Sequence, residues 1–460
     1  MDERSLKSIA ESCRAKILAG APNTLVKNVC TDSRRAKPGD VFFAIKGENF
    51  DGHAFINEVA DRKATAVVIE QRKIPAPLPP CAVLTVEDTI EALGKFAAAY
   101  RRDFSPSVVC VCGSNGKTTT KELIASVLRQ KFSTLWSEAS FNNNIGVPLT
   151  LLRLEKTHQA AVLEAGTNHP GELAPLVQMI GPNLGVLTNI GREHLEFFGD
   201  IAGVTREEGQ LAEVLPPDAT LFVNGDNQWT PDVIRRTRAR VVSVGFGDKN
   251  DWRAEKVQIN HNGVTFRVTT SKKEFCGEYR VPLLGRHQAL NALFSVAVGA
   301  QTGMTVAEIQ RGLADCKPAK MRMQYWEAGG IRVLDDAYNA NADSMVTALE
   351  TLRDLPMQGR RVAVLGDMAE LGAHSEAAHA EVGRRAAELQ IGQLFAVGKM
   401  APVVARAARD AGLSRVIEFE NVEAATKAIK SFLKSGDLVL LKASRSSRLE
   451  RIAETLKTEK

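Results

Sequence analysis

No run of five lysines or arginines occurs in the 460 residues, and the net charge is only +5. A strongly basic nucleic-acid face is therefore not expected. No Cys-x-x-Cys pair occurs either. The seven cysteines stand scattered at 13, 30, 81, 110, 112, 276 and 316, an odd set that points to free thiols in a reducing compartment. Cys110 and Cys112 lie two apart in an apolar run and read as strand positions, not metal ligands. No stretch of about 18 uninterrupted apolar residues exists, so no membrane span is expected. The opening MDERSLKSIAES is charged and has no apolar core, so no signal peptide is expected. Short-period repeats and low-complexity tracts are also missing. What remains is ordinary globular composition, 44% apolar and 25% charged, with chain enough for two to four domains at roughly 100–200 residues each.

The pattern divides into three segments. In residues 1–85 the runs Val41–Ile45 and Ala64–Ile69 read as strands, and the proline cluster from Ile74 to Pro80 reads as a linker or edge. In residues 86–316 a helix is expected near Thr89–Phe104. Apolar strands follow at Val108–Cys112, Ala160–Leu163, Gly185–Thr188 and Leu221–Val223, separated by helix-length stretches. That alternation predicts a mostly parallel sheet covered by helices. Residues 263–284 read as hairpin strands, and Leu290–Val298 as helix. Residues 317–460 repeat the α/β rhythm, with strands expected at Ile331–Leu334, Arg361–Leu365, Leu394–Val397, Val416–Phe419 and Leu438–Leu441 and a helix at Ala377–Leu389. The fold class is α/β throughout.

The sharpest signal is Val108-Val-Cys-Val-Cys-Gly113-Ser114-Asn115-Gly116-Lys117-Thr118-Thr119. It lies between an expected strand and a helix expected over Thr120–Gln130, which is the setting a phosphate-binding loop needs. Glycines let the backbone N–H groups turn toward phosphate. The helix N-terminus adds partial positive charge. Lys117 supplies a full one, and the Thr118 hydroxyl suits Mg²⁺. The strict G-x-x-x-x-G-K-[ST] pattern fails, since Val111 stands five before Gly116. The loop is a shorter G-x-x-G-K-T-T form. Glu164 follows the strand Ala160–Leu163. A carboxylate at the carboxyl end of a parallel strand faces the ligand crevice, where it is a candidate to hold Mg²⁺.

The loop Gly113–Thr119 resembles that of the Mur ligases and of the folylpolyglutamate synthetases. Four further stretches are similar to the Mur ligases: Ser140–Pro148 (SFNNNIGVP), Glu164–Glu172 (EAGTNHPGE), Asp335–Asn341 (DDAYNAN) with Asp343-Ser-Met345, and Val364–Gly372 (VLGDMAELG). The resemblance spans all three segments. It implies a small N-terminal α/β domain that binds UDP, a central ATPase-like domain with a P-loop and a parallel sheet, and a C-terminal Rossmann-like domain. It implies an ATP-dependent ligase that forms an amide bond through an acyl-phosphate, with Mg²⁺. Its partners would be UDP-N-acetylmuramoyl-tripeptide and D-alanyl-D-alanine, and it would act as a monomer in the cytoplasm.

By the same resemblance, Lys117, Glu164 and His194 are catalytic. The nucleotide would be held by Gly113, Ser114, Asn115, Gly116, Lys117, Thr118, Thr119, Asn291, Arg322 and Asp336, with Asp335 the alternative at the ribose. Substrate contacts would come from Ser33, Arg34, Asn144, Thr167, Arg192, Tyr338, Asn339 and Asn341, and Thr31–Arg34 with Gly47–His53 would form the uridine-diphosphate site. Metal ligands would be Thr118, Glu164, His194 and Glu208.

Glu208 marks a departure. Many Mur ligases carry there a lysine that CO₂ carbamylates into a metal-holding carboxylate. No lysine occurs between Lys156 and Lys249, so Glu208 is expected to supply the carboxylate directly. Among rivals, folylpolyglutamate synthetases share the loop but not Asp335–Asn341 or Val364–Gly372. The D-N-P-R motif of the ligase that adds a diamino acid does not occur. A mechanical P-loop ATPase would want a strand ending in Asp-Glu and a basic face. A catalytically dead muramoyl-nucleotide binder would not need Lys117, Glu164 and His194 together.

Overall fold

The structure, a computed structural model, describes residues 1–47 and 49–458. Glu48, within the expected Gly47–His53 stretch, lies outside the described residues. The chain forms two compact units. One comprises Met1–Cys110, Phe132–Thr167 and Glu172–Asn183. The other comprises Val111–Lys131, Asn168–Gly171 and the chain from Leu184 onward.

The first unit contains a five-stranded sheet in the order Lys16–Ala19, Ala82–Val86, Ala66–Glu70, Asp40–Phe43, Asn28–Cys30. Only its first pairing is antiparallel. The parallel strands are apolar on both faces, as burial on both sides requires. Val41, Val67, Val68 and Leu84 are fully buried. The strand expected over Val41–Ile45 stops at Phe43, because Ile45 N–H turns back onto the Phe43 carbonyl. The helix Thr89–Arg101 starts where Asp88 accepts from the N–H groups of Ile90 and Glu91, a side-chain cap for otherwise orphaned donors. The parallel strands Thr134–Trp136 and Ala160–Glu164 also lie in this unit.

In the second unit, Leu184–Leu187, Thr220–Asn224 and Arg240–Gly245 pair in parallel. Trp252–Asn260 follows in parallel, then Gly263–Thr270 and Gly277–Val281 return antiparallel. The hairpin expected in 263–284 is thus present. Arg240–Gly245 and Trp252–Asn260 were not expected. Ser243 interrupts the valines of the first, and Arg253, Glu255, Lys256 and Gln258 interrupt the apolar residues of the second, so neither shows a continuous apolar run. A second sheet runs Gln324–Ala328, Ile331–Asp336, Leu438–Lys442, Arg361–Gly366, Gln393–Val397, Val416–Phe419, parallel except for the first hairpin. All five strands expected in this segment are present. Their inward residues, among them Val333, Val364, Phe395 and Val439, close one core with the helices Val422–Phe432 and Glu450–Lys457.

The helix after the phosphate loop begins at Lys117, three residues earlier than expected, and runs to Leu128. It is packed by His287–Gln301 and Val306–Asp315. The second crossing is close because Gly312 has no side chain. A Cβ there would lie 2.4 Å from Val127 Cα and 2.8 Å from the Ser126 carbonyl, while Ser126 Oγ donates to the Gly312 carbonyl at 2.7 Å. Both near atoms are backbone, so a methyl group must push the helices apart. We expect Gly312→Ala to cost about 1–3 kcal/mol, the usual range for overpacking, read as a lower urea midpoint. An unchanged midpoint would contradict this packing.

Candidate functional site

The phosphate loop is held from below by the chain that leaves the strand Leu184–Leu187. Thr188 Oγ1 donates to the Asn115 carbonyl at 2.7 Å, and Asn189 Oδ1 accepts from Asn115 N–H at 2.8 Å. Ser114 N–H donates to the Asn189 carbonyl, and Gly191 N–H to Ser114 Oγ. Gly113 and Gly116 are both left-handed, with φ +116° and +82°. A Cβ on Gly113 would stand 2.4 Å from Thr188 Oγ1, and one on Gly116 would stand 2.8 Å from Asn291 Oδ1. Glycine is thus required twice, by conformation and by space.

Lys117 opens the helix and folds back over its own loop. Its Nζ donates to the Gly113 carbonyl at 2.5 Å and to Glu193 Oε2 at 3.2 Å. Glu193 was not among the expected site residues. It sits between Arg192 and His194, and no periodicity marked it. Glu208, at the end of the helix Ile201–Glu208, faces it. Both carboxyls are buried, and among the described residues no N–H or hydroxyl donor reaches either oxygen of Glu208 or Oε1 of Glu193, which leaves the two carboxyls to share a proton with each other. Burial, then the facing Glu193, hold Glu208 well above the usual carboxylate range. Burial also pushes Glu193 up, but Lys117 and His194 outweigh it and hold Glu193 below that range. The structure therefore brings Lys117, Glu193, His194 and Glu208 together.

Among the described residues, no three His, Cys, Asp or Glu side chains form a ready metal cage. Mg²⁺ does not ask for one, since it is commonly held by one or two carboxylates plus waters and substrate phosphates. The orphaned oxygens of Glu193 and Glu208 are hard donors of that kind. Glu164, in the first unit, is similar: Oε1 accepts from Asn142 Nδ2 at 2.8 Å, whereas buried Oε2 has no partner among the described residues. The residues present fit such a cation.

The C-terminal segment meets this site from the other side of the same unit. Asn341 caps the helix Ala342–Asp354 by accepting from Ser344 N–H, and its Nδ2 donates to Asn115 Oδ1 at 3.0 Å. Arg192 donates from Nε and Nη2 to Asp343 Oδ1 at 2.8 and 2.6 Å, and from Nη1 to Glu381 at 2.5 Å. Glu381, then Asp343, hold the guanidinium firmly cationic. A substrate at Arg192 would have to displace one of these carboxylates. The Arg322 guanidinium lies 4.1 Å from the Tyr338 ring centroid. Asp336 accepts from Lys442 Nζ at 2.5 Å and from Met323 N–H at 2.9 Å, and Lys442 also reaches the Asn339 carbonyl. Asp335 is the more deeply buried of the two aspartates and turns toward Ala337 N–H. Asn291 is buried beneath Gly116 and donates to Gln288 Oε1.

In the first unit, Arg34 is exposed and pairs with Asp32, while Ser33 is half-buried on the same 3-10 turn. Asn144 is exposed on its loop, and Thr167 is buried with its Oγ1 donating to Glu172 at 3.4 Å.

The facing carboxyls carry a pH signature in the metal-free protein. With its folded pKa raised, Glu208 contributes stability that is fully present below the usual glutamate range. That contribution is lost as the pH climbs toward the folded value, at up to about 1.4 kcal/mol per pH unit for one proton. Glutamine at 208 has no proton to lose. Metal-free wild-type protein should therefore fall in Tm relative to Glu208→Gln as the pH is raised from about 5 to 9. Parallel curves would show that Glu208 is not held protonated.

Comparison with known proteins agrees with this geometry. Residues 25–101 match the Mur ligase family catalytic domain, 111–299 the Mur ligase middle domain, and 321–445 the Mur ligase glutamate ligase domain. The UDP-N-acetylmuramoyl-tripeptide–D-alanyl-D-alanine ligase of Bacillus subtilis (strain 168) is 33% identical over 459 residues, covering 99% of each chain. A crystal structure of MurF from Acinetobacter baumannii superposes with a TM-score of 0.90 at 29% identity, covering 99% of both chains. The MurF ligase of Thermotoga maritima in complex with ADP gives 0.81 at 28% identity, covering 94% of this chain and 98% of that one. A phosphate loop seated on Thr188–Gly191, buried carboxyls against its lysine, and relatedness over nearly the full length lead to one conclusion: the chain belongs to the Mur ligase family.

Proposed function

We propose that the chain is an ATP-dependent ligase that joins D-alanyl-D-alanine to UDP-N-acetylmuramoyl-tripeptide, giving the pentapeptide, ADP and phosphate. The observation that carries this reading is the phosphate loop with Lys117 at its helix N-terminus, set against buried Glu193 and Glu208. It is supported by the full-length likeness to ligases of that name. The domains would be 1–85 for the muramoyl nucleotide, 86–316 for ATP and 317–460 for closure. The protein would work as a monomer in the cytoplasm.

The chemistry needs a phosphoryl group because a carboxylate is a poor electrophile. The terminal phosphoryl of ATP moves to the tripeptide carboxylate, and ADP leaves. The dipeptide amine then attacks the acyl carbon, and phosphate departs from the tetrahedral intermediate. Catalysis is mainly positioning and charge neutralisation. The N–H groups of Gly113–Thr119 and the helix N-terminus take the phosphates. Lys117 exchanges the Gly113 carbonyl for an outer phosphate oxygen. Asn291, Arg322 and Asp336 serve the rest of the nucleotide. Ser33, Arg34, Asn144 and Thr167 serve the muramoyl nucleotide, and Arg192, Tyr338, Asn339 and Asn341 serve the reacting peptide. Thr118, Glu164, His194 and Glu208 would hold Mg²⁺, with Glu193 beside them. Bound there, the cation would offset charge on the transferring phosphoryl group. Glu208 is a carboxylate by sequence and needs no CO₂.

Phosphate release from ATP should require both UDP-muramoyl-tripeptide and D-alanyl-D-alanine, and not proceed with L-glutamate. Mass spectrometry should find the pentapeptide. Lys117→Ala should lower kcat by about 10²–10³-fold or more, the scale for losing one positioned transition-state donor. Added bicarbonate should leave the wild-type rate unchanged. Release without the dipeptide would remove this reading, and strong activation by bicarbonate would remove the role given to Glu208.

A further inference from the structure

Two non-glycine residues in left-handed backbone conformation face each other in the second unit. His194 has φ +48° and Glu370 φ +60°. Such residues cost free energy and persist only where their surroundings fix them, often at functional sites. Here the surroundings are specific. The Glu370 carboxylate is hydrogen-bonded to His194 Nδ1, and the Glu370 carbonyl accepts from Glu196 N–H at 3.0 Å. Next along the chain, Gly372 packs on Glu196, and a Cβ there would lie 3.2 Å from Glu196 Cα. His374 Nε2 lies 2.9 Å from the Gly199 carbonyl. Segment 370–374 is thus seated on segment 194–199.

Glu370 is itself held firmly. On its N-terminal side, Met368 N–H donates to His379 Nε2 at 2.9 Å and Ala369 N–H to Ser444 Oγ at 2.8 Å. Met368 and Leu371 are buried on either side. The carboxylate is therefore delivered by the C-terminal sheet to a histidine on the loop that bears Glu193.

An ionised carboxylate only accepts, so the proton must sit on Nδ1. In the neutral ring the lone pair then belongs to Nε2, which lies on the Glu193 side, 3.9 Å from Glu193 Oε2. We infer that Glu370 is the positioning residue for His194. It fixes the ring's tautomer and direction, and does so only while Met368–His374 is seated against His194–Gly199. This rests on the proposed cation-binding role of His194. It adds that the site is completed by a side chain from the C-terminal segment, so seating that segment and readying the histidine are one event. Carboxylate partners of this kind typically change metal affinity or activity by about 10–100-fold when removed.

The test uses full-length Glu370→Ala and Glu370→Gln, each checked for an unchanged thermal melt. Histidine ¹⁵N resonances of the metal-free protein report the tautomer, and EPR of free Mn²⁺ reports binding of that ion alone. In Glu370→Ala the His194 signals should move away from the Nδ1–H form, and Mn²⁺ affinity should fall by about 10–100-fold. Glutamine keeps an acceptor oxygen and should restore the tautomer and most of the affinity. An Ala variant with wild-type tautomer, or a Gln variant as impaired as Ala, would overturn the inference. His194→Ala separates the two readings. If Mn²⁺ binding survives it, the cation role of His194 falls, and the tautomer measurement alone decides what Glu370 does.

Discussion

Two carboxyl groups buried against one ammonium set the terms for the rest of the second unit. Glu193 and Glu208 are almost fully enclosed, and Lys117 is the cation that reaches Glu193. Burying an ionised carboxylate costs several kcal/mol even after relaxation unless its oxygens are paired. Lys117 pairs with Glu193, while burial and the facing Glu193 hold Glu208 well above the usual carboxylate range. That arrangement is poor as a purely structural solution, because an apolar pair of the same volume would fill the space without the desolvation. It suits the cation-binding role proposed for these carboxyls. The loop above it carries positive charge of its own, from Lys117, which donates to the Gly113 carbonyl, and from the start of the helix Lys117–Leu128. The nucleotide and divalent ion proposed for this site would complement both.

How much of this was legible beforehand depended on how local the physics is. The loop Gly113–Thr119 could be read because each residue answers to a nearby backbone requirement: left-handed φ at Gly113 and Gly116, a helix start at Lys117. The parallel strands were legible because burial on both faces leaves continuous apolar runs such as Leu438–Leu441. Trp252–Asn260 was not, since the charged residues Arg253, Glu255 and Lys256 break its apolar run. Nor were Glu193 and Glu370 as site residues. A glutamate between an arginine and a histidine looks solvated. Only the fold shows Glu193 buried beside a lysine 76 positions away and Glu370 against a histidine 176 positions away. Arg192 was legible as important, yet its visible partners are Asp343 and Glu381. Asn341 likewise does more than its motif suggested, capping one helix while bonding to Asn115.

These long-range pairs converge on a single short stretch. Thr188 and Asn189 hold the carbonyl and N–H of Asn115, and Gly191 locks to Ser114. Arg192 binds the first turn of one C-terminal helix and the middle of another. Glu193 meets Lys117, and His194 meets Glu370. Successive residues thus point to the phosphate loop, the C-terminal helices, the loop lysine and the C-terminal acid. A strand cannot do this, because its side chains alternate between only two directions. The stretch must leave the sheet at Leu187 and coil, ending in the left-handed turn at His194. Such a coil has little regular hydrogen bonding of its own, so its shape is kept by what it touches. A change at any one partner is then felt by the others through backbone that has no independent means of staying in place. The local geometry of the site is for this reason a property of both segments that Thr188–His194 joins, and of neither alone.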